Sequence, residues 1–194
     1  MRQPITGDIV KPIAHPLSPE EYLELEKSLP LWHEFVGGVM YAMAGSSRQH
    51  NLIVGNTFVE LRRLAQGKPC RVFQSDMKLR IGEVFYSPEA MVVCAPEPED
   101  EYYELEPCIL VGVVSPSTKD TDLREKLLAY RGIPGLQTYL VVDTAAMTIR
   151  HFYRDEAGRW QQEDVVGSGE IPLPCLGAGL DLLEVYRGAF SEAG

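Results

Sequence analysis

Seven apolar or glycyl residues in a row, Cys108-Ile109-Leu110-Val111-Gly112-Val113-Val114, end at Ser115-Pro116-Ser117-Thr118. A short apolar run bounded by turn residues reads as a buried strand. The chain then becomes amphipathic from about Lys119 to Arg131, with Leu123, Leu127 and Tyr130 at helical spacing. Gly132 is a stop, and Pro134 prevents continuation. A buried strand handing over to an amphipathic helix needs neighbouring strands on its edges and helices on its faces.

The remaining segments supply them. Residues 1–17 are rich in Pro and Gly and read as an irregular lead-in, and 18–194 as a single domain. Ser18-Pro19-Glu20-Glu21 is a helix start, with a Ser cap, Pro at the first helical position and Glu three residues after the cap. Trp32 to Met43 reads as a hairpin turning at Gly37-Gly38. Ser46, with Gln49 three residues later, is the expected cap of a helix running to about Ala65. Val54, Phe58, Leu61 and Ala65 lie on its apolar face. Strand character follows at Arg71 to Gln74, Met77 to Ile81 and Glu89 to Ala95.

The segment 97–106 carries six carboxylates between Pro96 and Pro107, which predicts an exposed loop that repels a phosphate backbone. Thr138 to Asp143 and Met147 to Tyr153 are predicted strands, and Trp160 to Val165 extends the meander. A short helix or turn at Leu180 to Tyr186 closes the chain. The pattern is α/β: a central mixed sheet flanked by helices.

A net charge of −10 argues against holding nucleic acid by bulk electrostatics, although a local basic groove is compatible with it. No apolar run approaches the roughly 20 residues of a membrane span. The N-terminus lacks the apolar core of a signal peptide, so the expected compartment is the cytoplasm. The four cysteines, Cys70, Cys94, Cys108 and Cys175, have no Cys-x-x-Cys spacing. They are expected to be buried and reduced, and a zinc site is not indicated.

Five segments, taken together, resemble a known family: Phe73 to Arg80, Tyr86 to Val93, Leu110 to Thr118, Glu125 to Arg131, and Tyr139 to Asp143. In this order they are similar to the Uma-type restriction endonucleases, a bacterial branch of the PD-(D/E)xK nucleases. The resemblance runs from about Ser18 to Gly188. It implies a restriction-endonuclease-like core and metal-dependent hydrolysis of DNA phosphodiesters, with Mg²⁺ or Mn²⁺ as cofactor. Carboxylates are the ligands a hard cation prefers. The metal lowers the pKa of bound water and neutralises charge on the phosphate, while a lysine orients the nucleophile.

Carried over position by position, the resemblance implies metal ligands at Glu34 and Glu89, with Glu89 and Lys126 catalytic. His50, Asn51, Asp122 and Tyr130 fall at the substrate-binding edge of the site. Pro88-Glu89 stands where the family has Pro-Asp. The extra methylene can move a ligand oxygen by about 1 Å, a displacement of the kind that costs on the order of 100-fold in rate.

Gly112 stands where the family carries a second metal-binding Glu. Strand alternation puts 110, 112 and 114 on one face, so Gly112 leaves a gap where a carboxylate would project. Read without the resemblance, Lys126 is simply the i+4 partner of Asp122, a surface pair worth roughly 0.2–0.5 kcal/mol. Two readings follow. In one the chain is a Mg²⁺-dependent DNA endonuclease. In the other it keeps the nuclease fold, has lost catalysis, and acts as a binding protein, as a homodimer or paired with a paralogue.

Overall fold

A computed structural model describes residues 16–43, 45–115 and 119–190, excepting the side chains of 119–123. The elements in order are α1 (Pro19–Glu26), β1 (His33–Val36), β2 (Val39–Ala42), α2 (Arg48–Leu64), β3 (Arg71–Gln74), β4 (Lys78–Ile81) and β5 (Val84–Tyr86). They continue with β6 (Ala90–Val93), β7 (Tyr103–Glu104), β8 (Pro107–Val114), α3 (Lys119–Arg131) and β9 (Thr138–Asp143). The chain ends with β10 (Thr148–Arg154), β11 (Trp160–Val166), β12 (Glu170–Leu173), a 3-10 turn (Pro174–Leu176), β13 (Ala178–Asp181) and α4 (Leu182–Val185). Among them no helix is long and apolar enough to cross a membrane.

The local chemistry explains most boundaries. Ser18 and Glu21 close a reciprocal capping box, each side chain accepting the other's backbone N–H. Gly37 and Gly38 have φ of 59° and 81°, the pair of positive values a tight hairpin turn requires. α2 begins one residue later than expected. Ser47, not Ser46, is the cap, its Oγ accepting from His50 N. Gln49, released from any capping role, donates from its side chain to the Ala189 carbonyl.

The main sheet has the order β11-β10-β9-β8-β6-β3 and is mixed: β8 pairs parallel with β9 and antiparallel with β6. A second sheet runs β2-β1-β5-β4-β7. β8, central in the main sheet, is buried along nearly its whole length. Its alternate residues serve two cores. Ile109, Val111 and Val113 pack with Ile53, Val54 and Leu61 of α2, whereas Leu110 and Val114 pack with Tyr130, Tyr139 and Phe152. The α/β class is therefore observed, with a central mixed sheet flanked by helices.

Three local expectations are corrected. The 97–106 segment is not all exposed loop: Tyr103-Glu104 forms β7, pairing parallel with β4, and Glu104 is buried. Arg71 meets both Glu104 carboxylate oxygens at 3.2 Å, which compensates that burial. The closing segment contains the β12–β13 hairpin before the short α4. The cysteines are paired, Cys70 with Cys94 and Cys108 with Cys175.

Two buried charged features bear on stability. Lys78 and Glu26 pair at 2.9 Å, both almost wholly enclosed. His151 is also enclosed, and burial lowers its pKa although Glu163 at 3.1 Å opposes the shift. A histidine with a folded-state pKa below its unfolded value binds fewer protons folded than unfolded between the two. It therefore costs stability as pH falls from about 6.5, its unfolded pKa, towards the lower folded value. Thermal melts are expected to show a smaller loss between neutral pH and mild acid in His151→Gln than in the wild type. Equal losses would assign the acid sensitivity to other groups.

Candidate active site

The site is assembled where the ends of the two sheets meet. Glu34 comes from the middle of β1 and Glu89 from the residue just before β6. The segment Ser87-Pro88-Glu89 joins β5 of one sheet to β6 of the other. Glu34 Oε1 accepts a 3.0 Å bond from Ser87 N, so the strand-borne carboxylate is tied to that junction. Lys126, on the second half of α3, places Nζ 3.0 Å from the same oxygen. The lysine thus reaches across the fold to Glu34. The Asp122 side chain lies outside the described residues.

Glu89 turns the other way. Its Oε2 accepts from Val113 N at 3.1 Å, and its Oε1 stands 3.7 Å from His50 Nε2. His50 Nε2 is also 3.2 Å from the Val113 carbonyl. The Glu89 carboxylate and that carbonyl raise the His50 pKa above its ordinary value, against burial, which lowers it. The cap at Ser47 positions His50 in the first turn of α2, from which its ring reaches β8. Asn51 is exposed, with its backbone N–H donating to the Ser47 carbonyl.

Tyr130, on the last turn of α3, is wholly buried. Its pKa is pushed well up by burial, and Tyr139, Glu34, Glu89 and Tyr86 add to the shift. The Tyr130 ring packs edge-on against Tyr86 and Tyr139, at 5.5 and 5.0 Å between centroids.

Gly112 lies on this face. A Cβ built there would stand 3.0 Å from the Tyr139 hydroxyl. Tyr139 pairs opposite Leu110 in the parallel β8–β9 register, and its ring stacks on Phe152 and meets Tyr130 edge-on. The space a residue-112 side chain would enter is thus bounded by a phenol.

The structure thus brings Lys126 to Glu34 and His50 to Glu89, and packs Tyr130 against Tyr86 and Tyr139, whereas Asn51 contributes no described side-chain hydrogen bond. Sequence reasoning missed Tyr139, Tyr86 and Glu125. The Tyr86 hydroxyl donates to Glu125 at 3.3 Å, and Lys126 Nζ lies 6.0 Å from the Tyr86 ring centroid. Glu125 had a local signal, sitting next to Lys126. Tyr139 opens one of the matched segments, but its relation to Gly112 arises only from the parallel register.

Two carboxylates are present, but each already accepts a backbone N–H, and one is also paired with Lys126. The third carboxylate is absent, and the Tyr139 hydroxyl borders its place. Glu34 and Glu89 fit the one or two carboxylates that a hydrated Mg²⁺ commonly takes, but the carboxylate of position 112 that would complete the family's set has no counterpart here.

A mixed sheet with helices on its faces, one glutamate on a strand of the second sheet, another at the start of β6 and a helix-borne lysine agree with a restriction-endonuclease-like nuclease fold. The chain belongs to the Uma2 family, described as "Putative restriction endonuclease", whose profile matches residues 19–185. Two proteins of Synechocystis sp. are similar to it along most of their length. "Uncharacterized protein slr1290" is 31% identical over 175 residues, covering 89% of this chain and 92% of the relative. "Uncharacterized protein sll1609" is 29% identical over 157 residues, covering 78% and 88%. Among solved structures, "a putative nuclease belonging to DUF820" from Anabaena variabilis superposes with a TM-score of 0.72 at 15% identity. It covers 90% of this chain and 100% of its own.

Proposed function

We propose that this protein carries the frame of a metal-dependent DNA nuclease site in which loss of the carboxylate at position 112 has reduced metal binding and hydrolysis to a low level or to none. The observation that carries this is the convergence of Glu34, Glu89 and Lys126 on the Ser87–Glu89 junction beside a glycine whose side-chain space abuts Tyr139. In this reading Lys126 holds Glu34 in place and contributes positive charge where a phosphate would approach. Glu89, one methylene longer than the Asp of the family pattern, reaches the Val113 N–H on the strand next to the gap. Mg²⁺ or Mn²⁺ would have Glu34 and Glu89 as its protein ligands, and the reduced donor set makes its occupancy low.

A nuclease-fold binding protein without catalysis is the second reading. It is favoured by the same gap and by the −10 charge, which limits electrostatic attraction of any DNA partner. Plasmid nicking with Mg²⁺ or Mn²⁺ at physiological salt separates the two. The expected result is little or no nicked product from the wild-type chain, with any residual nicking removed by Lys126→Ala and by Glu89→Ala. Efficient nicking that survives both substitutions would show that the chemistry lies elsewhere or in a contaminant.

A further inference from the structure

The four cysteines come from four separate places: Cys70 just before β3, Cys94 just after β6, Cys108 within β8, and Cys175 in the 3-10 turn. They nevertheless meet at one spot. Cys70 is bonded to Cys94 and Cys108 to Cys175, and the two pairs touch, with Cys94 Sγ and Cys108 Sγ 3.6 Å apart. The sulfurs of Cys94, Cys108 and Cys175 all lie within 4.8 Å of one another. Two disulfides that only staple loops have no reason to be in contact, because each does its work wherever its own residues meet. Three mutually close sulfurs, with the Cys70 sulfur bonded to one of them, supply the donors of a tetrahedral thiolate site, whose Zn–S bonds of ~2.3 Å set sulfurs about 3.8 Å apart.

The strand geometry supports the same conclusion independently. In the β6–β8 ladder Val92 pairs with Ile109 and Val93 with Pro107, so Cys108 is the extra residue of a bulge. As a result Cys108 and Ile109, although consecutive, both face the core on the α2 side. A regular strand would point them to opposite faces. Bulges re-aim side chains in this way and are common beside functional sites. Here the bulge turns Cys108 towards Cys94, Cys70 and Cys175, all of which pack on that core.

We propose that the four cysteines, when reduced, form a site for one soft divalent cation of the zinc class, separate from the carboxylate site. Thiolates select such an ion over Mg²⁺. Conversion of the disulfide form is balanced with a dithiol as reductant. Two disulfides, two dithiols and Zn²⁺ give one tetrathiolate–zinc centre, two oxidised dithiols and four protons. Both S–S bonds break, and each takes two electrons. The cluster sits five residues from Glu89 along β6 and five from Val113 along β8, or about 16 Å at ~3.3 Å per residue. An ion there would lock the register of the two strands whose far ends build the candidate active site.

The test uses the intact chain, reduced with a dithiol, freed of excess reagent under inert gas and titrated with Co²⁺ and then Zn²⁺. One equivalent of Co²⁺ is expected to produce sulfur-to-cobalt charge-transfer absorption and the intense visible bands of a tetrahedral thiolate site, which one equivalent of Zn²⁺ abolishes. Peroxide should then release the zinc with loss of four titratable thiols. Cys175→Ser, checked for its fold by circular dichroism, should weaken the bands. Four free thiols without those bands, a cobalt spectrum of oxygen ligands only, or disulfides that cannot be reduced without unfolding would each overturn the proposal. None of these outcomes bears on the nuclease reading, which rests on different residues.

Discussion

Gly112→Glu, introduced alone, is expected to destabilise the protein by about 1–3 kcal/mol, the usual cost of forcing extra atoms into a packed region. The contact that decides this is the 3.0 Å approach of the new Cβ to the Tyr139 hydroxyl. Tyr139 cannot easily yield, because Tyr130 stands edge-on to it and Phe152 is stacked against it. The new carboxylate would also stand next to Val113, whose N–H Glu89 already occupies, and would add like charge to the Glu34–Glu89 pair. Substituting Tyr139→Phe as well removes the oxygen and keeps the ring. The double variant is expected to regain much of the lost stability, and Mn²⁺ should raise its melting temperature where it leaves that of the wild type nearly unchanged. Chemical denaturation of the wild type, both single variants and the double variant measures the coupling. Simple additivity of the two single effects would show that the hydroxyl is not the obstacle.

Lys78→Met is expected to cost about 3–5 kcal/mol, because it strands a buried carboxylate. Glu26 holds Lys78 Nζ at 2.9 Å and also accepts from His33 N at 2.7 Å, while its other oxygen lies 3.0 Å from His33 Nδ1. Those bonds to His33 place the expected loss towards the lower end of the range. The lysine's charge is further enclosed by aromatic rings, with Trp32 and Tyr22 centroids 5.2 and 5.3 Å from Nζ. Adding Glu26→Gln should recover most of the loss, since the amide oxygen can still accept the His33 N–H and no charge is left unpaired. Failure of the second substitution to help would mean that shape, not charge, holds this region. The consequence reaches the candidate site, because His33 precedes Glu34 on β1.

Features written in adjacent residues were legible. The Gly37-Gly38 hairpin, the capping box at Ser18 and the strands at Arg71–Gln74 and Thr138–Asp143 are set by local backbone chemistry and appear where expected. Through-space features were not. Two neighbouring serines compete to cap α2, and only the path of the chain selects Ser47. Glu104 reads as one more acid in an exposed run, yet Arg71, distant in sequence, draws it inside. The cysteines show no spacing motif because their convergence depends on a bulge and on a turn in the C-terminal segment.

The candidate site divides in the same way. Glu34, Glu89, Lys126, His50 and Tyr130 were singled out through the family resemblance, and the structure pairs Lys126 with Glu34 and sets His50 beside Glu89. What no pattern conveyed is that Lys126 pairs with Glu34, or that Tyr139 borders the space beside Gly112. Both follow from which strands are neighbours and in which register.

Calorimetric titration of Mn²⁺ measures what the carboxylate missing at position 112 costs the site. The wild-type chain should give weak or no binding. Gly112→Glu/Tyr139→Phe should bind at least about tenfold more tightly, a gain of ~1.4 kcal/mol, and Glu89→Ala in that background should erase the gain. Wild-type binding as tight as that of the double variant would contradict the claim that the gap at Gly112 is what weakens this site.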